Sequence, residues 1–277
     1  MVELIITDQY GCMDSVTNPI DVNPGPIALF ISDTVCEGIA TTFTDLSTTV
    51  PPLGGPIDTY LWEFGDLATG TSPLPNPTYI YAQAGIYIVN LTVTDVNGCQ
   101  GYYSDTVVVD TIPIANFSAT EVCHTFPTIF TDQSLNTSGT IVSWSWDFGD
   151  GPPPGTSILA SDIYTYTDAG SYTVTLTVTD DNGCSDTWDS TITVRPNPTA
   201  LFTADTVCVG FNTIFTDLSN IVPPLGGTIT DWDWDFGDPA NGTSILPDPL
   251  YGYQDFGTFM VELIITDQYG CMDSVTN

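Results

Sequence analysis

Tyr172-Thr173-Val174-Thr175-Leu176-Thr177-Val178-Thr179 sets an apolar side chain at every second position with threonine between. A period of two is that of a β-strand with one face buried, and β-branched residues suit its pleated surface. The pattern returns at residues 87–94 and 259–266 of the 277-residue chain. No stretch carries a helical stripe, and Gly, Pro and Asp turns interrupt the chain about every ten residues, the spacing of an antiparallel β-sandwich.

Outward from these strands the same landmarks recur in the same order, which fixes the architecture. Units open at Ala28-Leu29-Phe30, Ala115-Asn116-Phe117 and Ala200-Leu201-Phe202, 87 and 85 residues apart. Each continues through a Val-Cys pair (Cys36, Cys123, Cys208) and a Phe-Thr-Asp-x-Ser segment starting at Phe43, Phe130 or Phe215. Next comes an aromatic strand closing on Gly-Asp: Trp62-Glu63-Phe64-Gly65-Asp66, Trp146-Asp147-Phe148-Gly149-Asp150 and Trp234-Asp235-Phe236-Gly237-Asp238. A Thr-Asp-x-x-Gly-Cys turn ends each unit's long strand at Cys99, Cys184 or Cys271. The middle unit differs only in loop length, as a fixed framework with variable connections requires.

Residues 260–277 repeat residues 1–18 without a change, at an offset of 259. This predicts a window on a longer tandem array, in which Pro-Ile-Asp-Val-Asn-Pro follows Asn277 as it follows Asn18. Met1 stands where Met260 stands mid-domain and is not read as an initiator. Separate subunits lending strands to one another are the alternative, disfavoured because the third unit holds its own copy of most of the lent segment. The predicted division is 1–24 for the last strands of a preceding domain, then domains at 25–112, 113–197 and 198–277, the last lacking its final strand end. Linkers such as Arg195-Pro196-Asn197-Pro198-Thr199 are proline-bearing, hence stiff.

Each complete unit holds two cysteines with a tryptophan between them, the Cys…Trp…Cys order of immunoglobulin-like sandwiches. The expected disulfides are therefore Cys36–Cys99, Cys123–Cys184 and Cys208–Cys271, with the partner of Cys12 outside the window; reduced core thiols are the alternative. Such pairs imply an oxidising, extracellular setting. The expected core is Trp62, Trp146, Trp234, Phe64, Phe148 and Phe236.

The Trp-x-Phe-Gly-Asp strand and the Gly-x-Tyr-x-Val-x-Leu-x-Val-Thr-Asp-x-x-Gly-Cys run resemble those of PKD domains, across nearly the whole chain. The resemblance implies tandem immunoglobulin-like β-sandwiches on cell-surface or secreted proteins. The cysteine-bearing version is similar to domains of very long bacterial surface adhesins, including gliding-motility systems. The first unit departs with Glu63 and Leu67 where Asp and Gly are common, which bears on the turn after Asp66.

Thirty-four acidic residues face Arg195 as the sole Lys or Arg, a formal charge of −33. Nucleic-acid binding depends on cationic side chains, so that class is excluded, and this segment carries nothing that inserts into a membrane. Asp231, Asp233 and Asp235 alternate with Trp232, Trp234 and Phe236, so three carboxylates share an outer face. Calcium is the cation such oxygens would take. The equivalent positions, Ser143, Ser145 and Asp147 or Thr59, Leu61 and Glu63, do not share the set, which favours a solvated face. No other cofactor is expected. Catalysis finds no support: there is no lysine, one histidine, His124, and no nucleophile or zinc motif.

Asp-Ser/Thr-aliphatic triplets place Ser15, Thr34, Thr106, Thr111, Thr206 and Ser274 in a sequence similar to an O-glycosylation acceptor of some bacterial surface proteins. The rival reading is that Asp and Thr are simply abundant. Asn90, Asn116, Asn136 and Asn241 each head an Asn-x-Ser/Thr triplet. The apolar loop of residues 222–227, Val-Pro-Pro-Leu-Gly-Gly, is expected either to touch the next domain or a neighbouring rod or, more often, to fold back on its own sandwich. The functional expectation is a stiff extracellular stalk serving adhesion or presenting a distal tip. Its partners would be copies of its own repeat, surface glycans or other cells. A glycan-binding array is the rival.

Overall fold

The computed structural model describes all 277 residues, Met1–Asn277, and every regular element is a strand. The chain divides into two units, Met1–Ile112 and Pro113–Asn277.

The first unit begins with an antiparallel hairpin, Val2–Thr7 against Met13–Asn18, whose residues are all exposed. Its sandwich has one five-stranded sheet ordered Val35–Cys36, Gln100–Asp110, Gly85–Asp95, Ile57–Glu63 and Thr71–Ser72. The facing sheet holds Phe30–Ser32, Ala40–Asp45 and Thr78–Ile80.

In the second unit, the middle domain repeats this plan. Val122–Cys123, Ser185–Arg195, Gly170–Asp180, Ile141–Asp147 and Thr156–Ser157 face Phe117–Ala119, Thr128–Asp132 and Asp162–Tyr164. The third domain keeps the three-stranded sheet but has a four-stranded partner: Thr243–Ser244, Ile229–Asp235, Glu262–Asp267 and Met272–Thr276.

The alternating stretch is the central strand Gly170–Asp180, and its inward Val174, Leu176 and Val178 are fully buried. Trp62, Trp146 and Trp234, with Phe64, Phe148 and Phe236, are at most 1% exposed. Each indole N–H donates to a loop carbonyl, Leu74, Leu159 or Leu246, so burial leaves no orphaned donor. Around each tryptophan the rings form a continuous spine. In the middle domain it runs Phe117, Trp146, Phe130, Phe148, Tyr164, Tyr166 and Tyr172 with neighbouring centroids 4.0–5.6 Å apart.

The Gly-Asp end of the aromatic strand is a closing device. Gly149 has φ +72°, and a Cβ there would lie 2.1 Å from the Thr173 carbonyl oxygen, so only glycine fits. Asp150 then accepts from the Gly155 N–H and the Tyr164 hydroxyl. Asp238 does the same with Gly242 and Tyr251. In the first domain the turn after Asp66 keeps this arrangement despite Glu63 and Leu67: Asp66 accepts from Gly70 and Tyr79, while Thr69 takes a positive φ of 52°.

These bonds set a pH dependence. The Tyr251 hydroxyl and the Gly242 N–H hold Asp238 below the ordinary carboxylate range. For Asp150, burial pushes the other way, but the Tyr164 hydroxyl and Gly155 N–H outweigh it and the net shift is downward. A depressed carboxyl contributes stability that is present above its unfolded value of about 4 and lost as pH falls through the folded value. The tyrosine partners shift upward. Tyr79 and Tyr164 are raised to about 12, first by donating to Asp66 and Asp150. That contribution is present below about pH 10 and lost as pH rises toward 12. Because the pI is about 4.1, charge repulsion has vanished where the acid limb begins. Stability is therefore expected to peak near pH 4–5 rather than at neutrality. Asp238→Asn should flatten the limb below pH 4 in urea melts at pH 3, 5 and 7; an unchanged limb would remove this aspartate from the account.

Candidate functional site: a stapled domain junction

The parallel pairing of Val122–Cys123 with the end of Ser185–Arg195 sets Cys123 beside Arg195, at the pole from which the linker leaves the middle domain. Cys184 immediately precedes the other end of that 11-residue strand. At about 3.3 Å per residue the two positions lie roughly 35 Å apart, whereas a disulfide needs Cα atoms within about 7 Å.

The expected pairing inside each domain is therefore wrong. Cys123 is bonded to Cys271 of the third domain, with S–S 2.07 Å, Cα–Cα 5.5 Å and a sequence separation of 148. Cys99 and Cys208 are free thiols, which rules out Cys36–Cys99 and Cys208–Cys271; Cys36 and Cys184 are in disulfide form. Cys12, expected to find its partner outside the window, is free and exposed. The Cys…Trp…Cys order misled because the strand carrying the first cysteine joins the five-stranded sheet at its far end instead of packing against the second.

Cys271 reaches the junction because Asp267 folds the preceding turn. Its buried carboxylate accepts from the N–H groups of Tyr269, Cys271 and Gly227. At the same place in the first domain, burial opposes the charge of Asp95, but the N–H groups of Cys99, Gly55 and Asn97 outweigh it and hold that carboxyl low. Gly227 is required by contact, since a Cβ there would lie 2.8 Å from the Tyr269 ring.

Tyr269 receives the chain's single cation. The Arg195 guanidinium lies 3.4 Å from the Tyr269 ring centroid, and its Nη2 is 2.9 Å from Glu121. Nη1 donates at 3.4 Å to the carbonyl of Leu225. The apolar loop of residues 222–227 thus touches the preceding domain, not the next one as expected. The junction is a disulfide, a stacked arginine and a proline linker around one point. Sequence reading counted Arg195 only as charge; its position just before the linker, as the sole cation, was the available signal. Glu121 is 65% exposed, so that ion pair contributes little. The half-enclosed cation–π contact is worth about 1 kcal/mol. A double-mutant cycle with Arg195→Gln and Tyr269→Leu should return a coupling of about that size; zero coupling would show the stacking to be incidental.

The other site expectations fare differently. Asp231, Asp233 and Asp235 do lie exposed on one face of Ile229–Asp235, but alternate residues on a strand stand nearly 7 Å apart. Asp231 accepts from the Thr230 hydroxyl and Asp235 from the Gly237 N–H. No three acidic, His or Cys side chains gather to hold a metal ion, so the calcium reading is withdrawn. Ser15, Thr34, Thr106, Thr206 and Ser274 are exposed and Thr111 is half-buried. His124 bonds the Thr167 carbonyl through Nε2. Trp188 is 48% exposed, and its counterparts four residues after Cys99 and Cys271 are Tyr103 and Val275, so no tryptophan platform repeats.

The family model described as "PKD domain" matches residues 22–111, 110–196 and 193–277. The chain belongs to the PKD domain family. The pre-pro-metalloprotease PrtV of Vibrio cholerae is 38% identical over 151 residues, 52% of this chain and 15% of that protein. Collagenase ColA of Bacillus cereus is 31% identical over 106 residues, 30% of this chain and 11% of the enzyme. The chain thus spans about a seventh or less of these relatives. Among solved structures, the PKD1 domain of PrtV is 44% identical, covering 30% of this chain and 96% of that domain with a TM-score of 0.27. The eight N-terminal immunoglobulin domains of Down Syndrome Cell Adhesion Molecule align with 99% of this chain and 38% of theirs, at 11% identity and a TM-score of 0.50, a likeness of fold. The matches are to PKD modules of proteases, and this chain is a run of PKD repeats.

Proposed function

We propose that these PKD repeats are a segment of an extracellular stalk that holds a distal adhesive or catalytic element away from a cell surface. The observation that carries this reading is the Cys123–Cys271 bond between successive domains. A disulfide inside a domain protects that domain; one across a junction fixes the angle between two domains, and a stalk needs that stiffness. The proline linker and the Arg195 clamp act in the same sense.

An oxidising exterior is where such a bond persists. The chain also lacks lysine, and its single arginine precedes Pro196, so trypsin-like proteases find no readily cleaved bond even in an unfolded chain. The finer reading is a very long surface adhesin of the gliding-motility type, decorated at Ser15, Thr34, Thr106, Thr206 and Ser274. The exact duplication of 18 residues at an offset of 259 supports a long array.

A second reading is favoured by the relatives' names: the repeats would be the non-reacting arm of a protease or collagenase. One experiment separates the two. Native protein is run on a denaturing, reducing gel and its peptides, cut at acidic residues, are mapped by mass. A species of hundreds of kilodaltons with extra mass on the Asp-Ser/Thr peptides supports the adhesin. A protein near 100 kDa whose other peptides carry a metalloprotease motif supports the enzyme arm. A band near 30 kDa overturns both.

A further inference from the structure

The aromatic rings of each domain are ordered by chemistry as well as by packing. In the first domain Trp62, Phe64, Tyr79, Tyr81 and Tyr87 follow one another in contact. The second repeats the order with Trp146, Phe148, Tyr164, Tyr166 and Tyr172. The third runs Trp234, Phe236, Tyr251, Tyr253 and Phe259. Successive centroids are 4.0–6.5 Å apart, and each run leads from a fully buried indole to a half-buried ring. A core asks only for volume and shape at such positions, so the order of ring types is a separate observation.

The polar atoms along each run differ in what they can do with a proton. The indole N–H groups of Trp62, Trp146 and Trp234 donate to backbone carbonyls. So do the hydroxyls of Tyr81, Tyr166 and Tyr253, which donate to Phe64, Phe148 and Phe236. A carbonyl accepts a hydrogen bond but is no base. The tyrosines between them, Tyr79, Tyr164 and Tyr251, donate instead to the carboxylates of Asp66, Asp150 and Asp238, which can take the proton. An oxidised indole that keeps its proton is a cation and a strong oxidant. A phenol yields an electron readily when its proton leaves at the same time. Each run therefore slopes from its tryptophan to the tyrosine paired with aspartate.

We propose that each aromatic spine conducts one-electron oxidising equivalents out of the core. An electron vacancy placed on Trp146 by an external one-electron oxidant passes by way of Phe148 to Tyr164, where Asp150 takes the phenolic proton. The first and third domains do the same through Tyr79 with Asp66 and Tyr251 with Asp238. The step balances: the Trp146 radical cation gains one electron and returns to neutral indole, Tyr164 loses that electron and becomes a neutral phenoxyl, and the proton moves from its hydroxyl to Asp150. A one-electron reductant such as ascorbate then returns the electron to Tyr164, and Asp150 returns the proton. Tyr172, half-buried and two rings further on, brings the vacancy within reach of that reductant. The indole at the centre of the core is thereby not left oxidised. Trp144 and Trp232 bond carboxylates of their own, Asp132 and Asp217, and are the rival resting places.

The test uses the full chain carrying Tyr10→Phe and Tyr102→Phe, which removes two exposed phenols that would compete. The oxidant is flash-generated tris-bipyridine ruthenium(III), a cation that the acidic surface attracts. Freeze-quenched EPR spectra should show tyrosyl rather than tryptophanyl radical, and deuterium oxide should slow its appearance. Adding Tyr79→Phe, Tyr164→Phe and Tyr251→Phe should slow tyrosyl formation at least tenfold, the factor for about 1.4 kcal/mol in a barrier. After sustained oxidation, mass mapping of that variant should find more oxygenated Trp62, Trp146 and Trp234. Asp66→Asn, Asp150→Asn and Asp238→Asn together keep the acceptors but remove the bases, and should give the same delay; urea midpoints establish that each variant is folded. The deuterium measurement needs no such variant. A tryptophanyl radical that persists in the parent chain, a tyrosyl signal indifferent to deuterium oxide or to the phenylalanines, or equal oxygenation of the three tryptophans throughout overturns the proposal while leaving the stalk reading intact.

Discussion

Cys271→Ser is expected to destabilise the second and third domains by about 4–5 kcal/mol. The bond closes a 148-residue separation when both domains unfold. It still closes one of about 75 residues when only the third unfolds, and the chain-entropy relation gives 4–5 kcal/mol across that range. In a segment of this size the melting temperature should fall by roughly 10–15 °C. Cys208→Ser is the control: that thiol is already free, and its loss should leave the midpoint where it was. Reductant should bring wild type at least to the level of Cys271→Ser in urea titrations, since it also opens the disulfide form of Cys36 and Cys184. Should the variant and wild type melt together, or a non-reducing digest link Cys271 to Cys208, the junction described here is wrong. The serine variant should also show increased hinge motion between the two domains in small-angle scattering, the property on which the stalk reading depends.

Trp146→Ala is expected to cost about 3–5 kcal/mol, the range for emptying a buried indole site. Trp146 is 1% exposed, sits with ring centroids 5.1 Å from Phe117 and 5.6 Å from Phe130, and donates to the Leu159 carbonyl at 2.8 Å. The substitution leaves a cavity in the aromatic spine and an unmatched loop carbonyl together. Trp144, two residues earlier, is only half-buried and bonds Asp132. Trp144→Phe should cost about 1 kcal/mol, the worth of one hydrogen bond to a charged group at a partly wet site. Urea titrations followed by tryptophan fluorescence check both. Because the fold of the middle domain holds Cys123 opposite Arg195, Trp146→Ala should also lower the yield of the Cys123–Cys271 bond during oxidative refolding. Equal midpoints for the two tryptophan variants would mean the core is not organised around Trp146.

Most of the fold was legible in the chain. Alternation in residues 172–179 named the central strand, and threefold recurrence of Trp-x-Phe-Gly-Asp located the buried ring and the Gly149 turn. These are local rules: a side chain's face follows from its parity along a strand, and a positive φ demands glycine whatever surrounds it. The resemblance to PKD domains rested on the same local motifs and is matched along the chain.

The candidate site was legible only in its parts. Cysteine positions, the lone Arg195 and the apolar loop of residues 222–227 could all be read from the sequence. Which cysteine met which depended on the parallel register of Val122–Cys123 against the end of Ser185–Arg195. That register puts the two cysteines of one domain at opposite ends of a strand too long for any disulfide to span. The same distinction separates the outcome for the three aspartates: their shared face followed from parity, but coordination requires convergence, and an extended strand holds alternate carboxylates apart. Residue pattern along the chain thus determined what each domain is. Only the pairing of distant strands decided how one domain is fastened to the next, because contacts made across 148 residues leave no periodic trace in the sequence.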